Sequence, residues 1–482
     1  MINYRIIARV FSILLIFEGL LMLLSALISY IYYETTTSAF IYSAFITILA
    51  GIGAFVPLRE EEKVYGNREG YIIVTGVFLI FSLFGTLPYL FSGSITSFPD
   101  AFFESVSGFT TTGATIITDV DSMSKGILFW RSMTQWVGGL CIIFLSLYVL
   151  PVFRDINIQL STTDFSGQTS DKIHPRTIDA VKRLIGIYIA LTIAEALLLF
   201  VSGMTLFDAV CHSFTTLSTG GFTTHNNSLA FYSSPLIKVV ITIFMFIAGT
   251  NMTIIYFGIN LDFRKLTEND EYAFYAIICL IFSLIAIPAI FIKSTDSLGN
   301  SILDGFFHVV SIVSTTGYYT SDYTSWGSFM IMIFFILMFT GGTSGSTSGG
   351  MKVSRLLILT KNNRTELRRL IHPDAFIPVR LNRRILPQSI VYNVLVFVTL
   401  YFLVLCISSV ILSFMGYDII TSFSTSAAFL GNIGPGMGTF APFTNYATLP
   451  ITGKWFLSGL MLLGRLELIT VMILFARSFF RK

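Results

Sequence analysis

The sequence predicts an all-α integral membrane protein. Four pseudo-repeated helix–pore helix–helix units surround a central pore, and an N-terminal helix pair precedes them. Three observations carry this. Of the 482 residues, 54% are hydrophobic and only 12% charged, whereas soluble domains carry about 25% charged residues. Apolar runs of bilayer-spanning length recur along the chain. A polar, glycine-bearing stretch interrupts them four times in one register.

The first element is the run Ile6 to Tyr33. It is too long for the apolar part of a cleaved signal and lacks a clear small-residue cleavage site, so it is read as a retained span. Ala39 to Pro57 completes the N-terminal pair over residues 1–66. Further runs follow at Tyr71–Phe91, Leu184–Val201, Leu236–Tyr256, Tyr272–Ile292, Ile390–Met415 and Trp455–Phe480. Each is near the length of one crossing.

Internal repetition organises the rest. With Gly113, Gly221, Gly317 and Gly434 as origins, the chain reads DAFFESVSGFTTTGA, DAVCHSFTTLSTGGF, DGFFHVVSIVSTTGY and, more loosely, TSFSTSAAFLGNIGP. Thirteen residues upstream of the glycines stand Asp100, Asp208, Asp304 and Thr421. Nine upstream stand Glu104, His212, His308 and Thr425, and six upstream Ser107, Thr215, Ser311 and Ala428. The leading Asp is expected to cap a helix of about three turns. A loop containing glycine follows, and the chain then re-enters an apolar span. The predicted organisation is pore repeat 1 over 67–160, repeat 2 over 161–262, repeat 3 with a gating loop over 263–360, and a basic cytosolic connector with repeat 4 over 361–482. The total is ten spans and four re-entrant half-helices.

Charge placement supports an even number of crossings. With both termini in the cytoplasm, the inner segments carry 24 of the 30 Lys and Arg residues. That is a strong positive-inside bias. The four cysteines, Cys141, Cys211, Cys279 and Cys406, lie in or beside apolar runs. They lack metal-ligand spacing and are read as small apolar residues.

Non-helical backbone at membrane depth is tolerated only inside protein or facing water. Four such loops meeting around one axis can turn carbonyl oxygens inward and replace the hydration shell of a cation. Glycine supplies positive φ at low cost for a carbonyl so directed. The half-helices aim their negative C-terminal ends at the same place. Extracellular turns are the alternative for one loop; four in register favour a selectivity filter. The candidate filter is Thr111, Thr112 and Gly113; Thr219, Gly220 and Gly221; Thr315, Thr316 and Gly317; and Asn432, Ile433 and Gly434. The backbone carbonyls of Thr112, Gly113, Gly220, Gly221, Thr316, Gly317, Ile433 and Gly434 are the candidate cation ligands.

The string TGGTSGSTSGG from Thr340 to Gly350 follows an apolar run too short to span alone. It is expected inside the second helix of repeat 3, as a movable loop under the filter, rather than as a cytosolic linker. Its gating candidates are Gly341, Gly342, Thr343, Ser344, Gly345, Ser346, Gly349 and Gly350. Arg465 lies within the last span, where a charge is costly and usually faces a pore or a partner. An ion pair with Glu467 is the bland alternative. Glu18 and Glu195 also sit in spans. Trp130, Arg131 and Trp136 have the look of interface anchors. The basic stretch Lys352 to Arg384 is read either as contact with anionic lipid or as a docking site for a cytosolic regulator.

These loops and this helix count resemble the TrkH/TrkG/KtrB superfamily of potassium uptake proteins, and its TrkH/TrkG type in particular, over nearly the whole length. The resemblance implies K⁺ as the transported ion, filter glycines at Gly113, Gly221, Gly317 and Gly434, and a gate made by the glycine string. It implies an Arg465 barrier just below the filter. It also implies a homodimer in the bacterial inner membrane, surrounded by membrane lipids, and a cytosolic nucleotide-binding ring of the TrkA type. The fourth loop departs from the others in Asn432, Ile433 and Pro435. The expected activity is channel-like K⁺ uptake, with H⁺- or Na⁺-coupled symport as the alternative. No metalloprotease motif, nucleophile elbow or phosphate loop is visible in the sequence, so neither an enzyme nor an organic cofactor is expected, and no nucleic-acid partner.

Overall fold

The structure, a computed structural model, describes residues 2–55, 67–148, 175–293 and 297–475. The basic inner segments at 56–66, 149–174 and 476–482 lie outside these residues, so their placement on one side of the membrane is not addressed. Helices dominate, as the apolar runs require. α1 (Tyr4–Ile31) and α2 (Thr37–Gly53) form the N-terminal hairpin. It closes tightly: Ser12 Oγ donates to the carbonyl of Gly51 at 2.6 Å.

Next come α3 (Asn67–Phe84), α4 (Leu87–Phe91), α5 (Phe98–Phe109) and α6 (Lys125–Tyr148). α7 (Pro175–Val201), α8 (Leu206–Leu217), α9 (Pro235–Ala248), α10 (Met252–Ile259) and α11 (Phe263–Thr267) follow. The third group is α12 (Asp270–Lys293), α13 (Leu298–Val313), α14 (Ser328–Leu337) and α15 (Val353–Ile371). The last is α16 (Gln388–Phe414), α17 (Ile419–Leu430), α18 (Ile451–Arg465) and α19 (Leu468–Phe475). The one departure from an all-helical chain among the described residues is a two-residue antiparallel hairpin in the connector, β1 (Arg380–Leu381) with β2 (Arg384–Ile385).

Among the described residues five helices are long and apolar enough to cross a bilayer alone. Their outer faces carry exposed Leu, Ile, Val and Phe, such as Leu20, Leu197, Leu284 and Val410. So much contiguous apolar surface fits lipid as the surrounding solvent. The molecule is a multi-pass, mainly helical membrane protein in architecture.

Two runs read as single spans are broken. Leu236–Tyr256 divides into α9 and α10, which meet at 114°. The polar triplet Gly249–Thr250–Asn251 fills the bend, and Asn251 caps α10 through its side chain. Trp455–Phe480 divides at Leu466 and Glu467, where Glu467 adopts φ +56°. Hydropathy averages over such breaks because both halves remain apolar.

A second correction concerns helix caps. The residues at the N-cap are Ser97, Thr205, Ser297 and Asp418, with side-chain caps at the last three. Asp100, Asp208 and Asp304 lie inside their helices instead. Thr205 accepts from the Asp208 N–H and donates to its carboxylate at 2.7 Å, a reciprocal cap.

Nor do Trp130, Arg131 and Trp136 sit at a lipid interface. Trp130 and Arg131 are buried, and the Trp130 indole donates to the Gly85 carbonyl at 3.2 Å. Trp136 donates to Thr192 Oγ1 and packs on Tyr188 and Phe214. A sequence position near a span end does not reveal which face points inward.

Candidate functional site

Four half-helices, α5, α8, α13 and α17, end by the same rule. The residue two before each key glycine, Thr111, Thr219, Thr315 or Asn432, has φ between +53° and +61°. Its N–H bonds the carbonyl three residues back, and the next N–H reaches five back. The longer bonds run from Thr112 to Ser107, Gly220 to Thr215, Thr316 to Ser311 and Ile433 to Ala428, at 2.8–2.9 Å. This is the Schellman arrangement, which satisfies carbonyls left over at a helix end. It explains the repeat position six before each glycine: that residue provides the accepting carbonyl. A β-branched residue is uncommon in the left-handed region. Three threonines held there mark local strain of the kind found at functional sites.

Gly113, Gly221, Gly317 and Gly434 are also left-handed, at φ +76° to +96°. Close approach gives a second reason for glycine. A Cβ on Gly113 would lie 2.1 Å from the Gly220 carbonyl oxygen, and one on Gly221 2.0 Å from that of Thr316. One on Gly317 would lie 1.9 Å from that of Ile433, and one on Gly434 2.5 Å from that of Thr112. The contacts run from loop 1 to 2, 2 to 3, 3 to 4 and 4 back to 1. Four loops scattered over more than 300 residues therefore meet in one closed ring. Each glycine admits the carbonyl of the residue preceding the glycine in the next loop.

Polar struts hold the ring from behind. In loop 1 the buried Glu104 accepts from Arg131 Nε at 2.9 Å, from Thr115 Oγ1 and from the Ile116 N–H. In loop 3 the equivalent His308 accepts from the Thr320 N–H at 3.3 Å, the same twelve-residue reach. Asp208 and Asp304 accept from Thr224 and Thr320 at 2.7 and 2.8 Å, each sixteen residues on. In loop 4 Ser424 accepts from the Met437 N–H at 3.0 Å, and the Tyr446 hydroxyl donates to the Gly434 carbonyl at 2.8 Å. Lys238 pairs with Asp304, and Lys454 with Asp100. His212 and His308 are buried, with Nδ1 on the carbonyl four residues back; they brace helices rather than gather into a ligand set.

The Glu104–Arg131 pair was absent from the sequence reading, although a carboxylate at membrane depth calls for a cation. Gln135, Tyr446 and Asn251 were missed as well, since nothing in the local pattern marks them. In the segment after loop 1, hydrogen bonds from Asn226 and then Ser122 hold the Asp119 carboxyl below its usual range.

Asn432 does what no threonine at its position can. Its amide donates to Thr112 Oγ1 at 2.8 Å and to the Met461 carbonyl at 3.0 Å. It thus ties loop 4 to loop 1 and to α18.

The glycine string separates α14 from α15 and lies inside the protein, with Gly341, Gly342, Thr343, Ser344, Ser346 and Gly349 buried and Gly345 and Gly350 half-buried. A solvent-exposed linker is therefore excluded. Buried backbone must find partners, and this loop finds them at the end of α8, at the α9–α10 bend, on α12 and at the end of α13. The Thr343 N–H bonds the Gly249 carbonyl at 2.8 Å. The Ser344 N–H donates to Glu271 at 2.6 Å while its carbonyl accepts from Asn251. Thr347 Oγ1 donates to the Leu217 carbonyl, and the Gly349 N–H donates to Thr315 Oγ1 at 2.8 Å. Lys352 Nζ donates to the Ser348 carbonyl at 2.8 Å. The string is thus pressed against the ends of the half-helices that carry the ring.

Arg465 ends α18, is 4% exposed, and donates through Nη1 to the Thr347 carbonyl at 2.8 Å. Its Nε and Nη2 make no hydrogen bond to the described residues. The alternative pairing with Glu467 does not occur: Glu467 pairs with Arg355. Arg465 therefore stands beside the string as a buried cation with unspent donors.

The chain matches the family model TrkH, described as "Cation transport protein", over residues 36–295 and 273–482. It is 36% identical to the Trk system potassium uptake protein TrkH of Salmonella typhimurium, over all of both chains. The identity to the Trk system potassium uptake protein TrkG of Escherichia coli is 32%, over 99% of each. The crystal structure of the potassium transporter TrkH from Vibrio parahaemolyticus superposes with a TM-score of 0.91 at 33% identity, covering 100% of each chain. By full-length sequence and by fold, the chain belongs to the TrkH family of cation transport proteins, within the TrkH/TrkG/KtrB superfamily.

Proposed function

We propose that the protein takes up K⁺ across the bacterial inner membrane through a channel-like pore whose filter is the four-loop ring. The single observation that carries this reading is the closed cycle of glycine-to-carbonyl contacts. The ring oxygens stand in for the hydration shell, and K⁺, being easier to dehydrate than Na⁺, is favoured. With one key glycine per loop the discrimination is moderate. The relatives named above are potassium uptake proteins and a potassium transporter. As a member of a transport family the chain is not an enzyme.

Ten crossings with both termini inside, in four repeats after the N-terminal pair, fit the four half-helices and their flanking helices. The buried string from Gly341 to Gly350 is the gate. Arg465 is an electrostatic barrier beneath the ring. The "Trk system" of the relatives' names implies further components; a homodimer with a cytosolic TrkA-type nucleotide-binding ring on the basic connector fits that description. The deciding experiment is uptake of radioactive rubidium into proteoliposomes, with competing K⁺ and Na⁺. K⁺ should compete strongly and Na⁺ weakly; failure of K⁺ to compete removes the substrate assignment.

A second reading, symport with H⁺ or Na⁺, rests on the fully buried Glu18 and Glu195, which make no ion pair among the described residues. Uptake that responds to an imposed pH or Na⁺ gradient at fixed membrane potential would favour it.

A further inference from the structure

Loop 2 departs from loops 1 and 3 at the position before its key glycine. It reads Ser218–Thr219–Gly220–Gly221, where loop 3 reads Ser314–Thr315–Thr316–Gly317 and loop 1 has Thr112 before its glycine. The extra glycine has a local cause. A Cβ on Gly220 would lie 2.3 Å from Cδ and Oε1 of Gln135. Gln135 is fully buried on α6. It lies four residues beyond Arg131 on the same face, and Arg131 itself donates to the Thr223 carbonyl.

The Gln135 amide brackets the loop. Its Oε1 accepts from the Phe222 N–H at 3.1 Å, and its Nε2 donates to the Gly220 carbonyl at 2.8 Å. The Phe222 N–H can only donate, so it fixes which end of the amide faces which partner. Gly220 carries one of the four ring carbonyls. Among the described residues the other three, on Thr112, Thr316 and Ile433, accept no hydrogen bond.

We infer that Gln135 is a specificity-determining residue: its amide occupies one lone pair of a ring carbonyl and so makes the four-loop ring electrostatically unequal. This rests on the filter reading of the ring. An amide donor on a carbonyl draws off part of its negative potential and limits its motion. A layer of carbonyls with three unencumbered and one shared has a weaker field than a symmetric layer; among the remaining candidate ligands the Gly434 carbonyl is shared too, with Tyr446. Weak-field sites favour the larger, less strongly hydrated monovalent cation. Removing the donor strengthens and frees the Gly220 carbonyl, and both changes favour Na⁺ relative to the native ring.

The test uses the full-length protein in proteoliposomes, with rubidium uptake competed by K⁺ and by Na⁺. Gln135→Met keeps the side-chain volume and removes both hydrogen bonds. Its ratio of Na⁺ to K⁺ half-inhibiting concentrations is expected to fall by about threefold or more. Should Gln135→Met not fold, the pair Gln135→Ala with Gly220→Thr replaces it. That pair vacates the amide's space, fills it with the residue loop 3 already uses, and removes the donor. It is expected to lower the same ratio. A structural role alone reduces thermal stability or total flux and leaves the ratio alone. An unchanged ratio in either folded variant, with the native protein discriminating K⁺ from Na⁺, overturns the inference. Native protein that takes up no rubidium overturns the transport reading instead.

Discussion

The ring and the helices beneath it obey different rules. On the ring, one solution is used four times: a half-helix, a Schellman end, a left-handed residue and a left-handed glycine. Beneath it, the helix after each loop is handled differently. α6 runs unbroken from Lys125 to Tyr148, α9 and α10 bend by 114°, α14 and α15 are parted by the glycine string, and α18 and α19 part at Glu467. The proposed filter needs every quarter to approach its neighbours equally, so each loop bears the same constraint. For the proposed gate one element with two arrangements suffices, and repeating it four times would only add ways to leak.

The comparison breaks most violently at the ring. Gly317→Ala places a Cβ 1.9 Å from the Ile433 carbonyl at φ +79°. Neither backbone can yield without opening the cycle. Rubidium uptake should fall by about 100-fold or more, because a carbonyl ring conducts only when its oxygens stay in place. Near-native uptake by the variant would separate the glycine contacts from conduction.

Below the ring the expected sign reverses. Glu271 holds the Ser344 N–H, and Asp270 beside it pairs with Lys361 and bonds Asn382 of the connector. One dipeptide thus touches both the string and the connector hairpin. Glu271→Ala should release the string and raise uptake by about tenfold, the scale of one lost hydrogen bond to a charged group. Glu271→Gln keeps an acceptor and should stay near native. Reduced uptake in a folded Glu271→Ala variant would mean that the carboxylate opens the path rather than closes it.

Arg465→Ala should also raise uptake, by about threefold, since the buried charge acts on the ion path at a distance. Equal or lower flux in a folded variant removes Arg465 as a barrier.

The two halves were not equally legible in the sequence. The glycines declared themselves because positive φ and close approach both select that residue. The Schellman residue did not, since Thr111, Thr219 and Thr315 are of a type that rarely takes such a conformation. Broken helices were obscured because hydropathy counts residues and not hydrogen bonds, although Gly249–Thr250–Asn251 was a polar triplet in an apolar run. A place near the end of a span suggests an interface anchor at Arg131, whereas its partner, Glu104, lies 27 residues away. Gln135 could not have been found, because its role depends on a loop 85 residues further on.

The smallest expected effect tests the point where one amide nitrogen joins the ring to α18. Asn432→Thr would give loop 4 the residue that the other three loops use. Threonine can hold the left-handed conformation there, as Thr111, Thr219 and Thr315 do. It cannot reach both Thr112 and the Met461 carbonyl, so the tie between loops 4 and 1 and the tie to α18 are lost together. Two net hydrogen bonds correspond to about 1–3 kcal/mol, readable as lower thermal stability. The ring contacts at Gly434 and Gly317 remain, so uptake should change by no more than about twofold. A much larger loss of uptake, at unchanged stability, would show that the fourth loop's asymmetry serves conduction itself rather than the joint between the ring and α18.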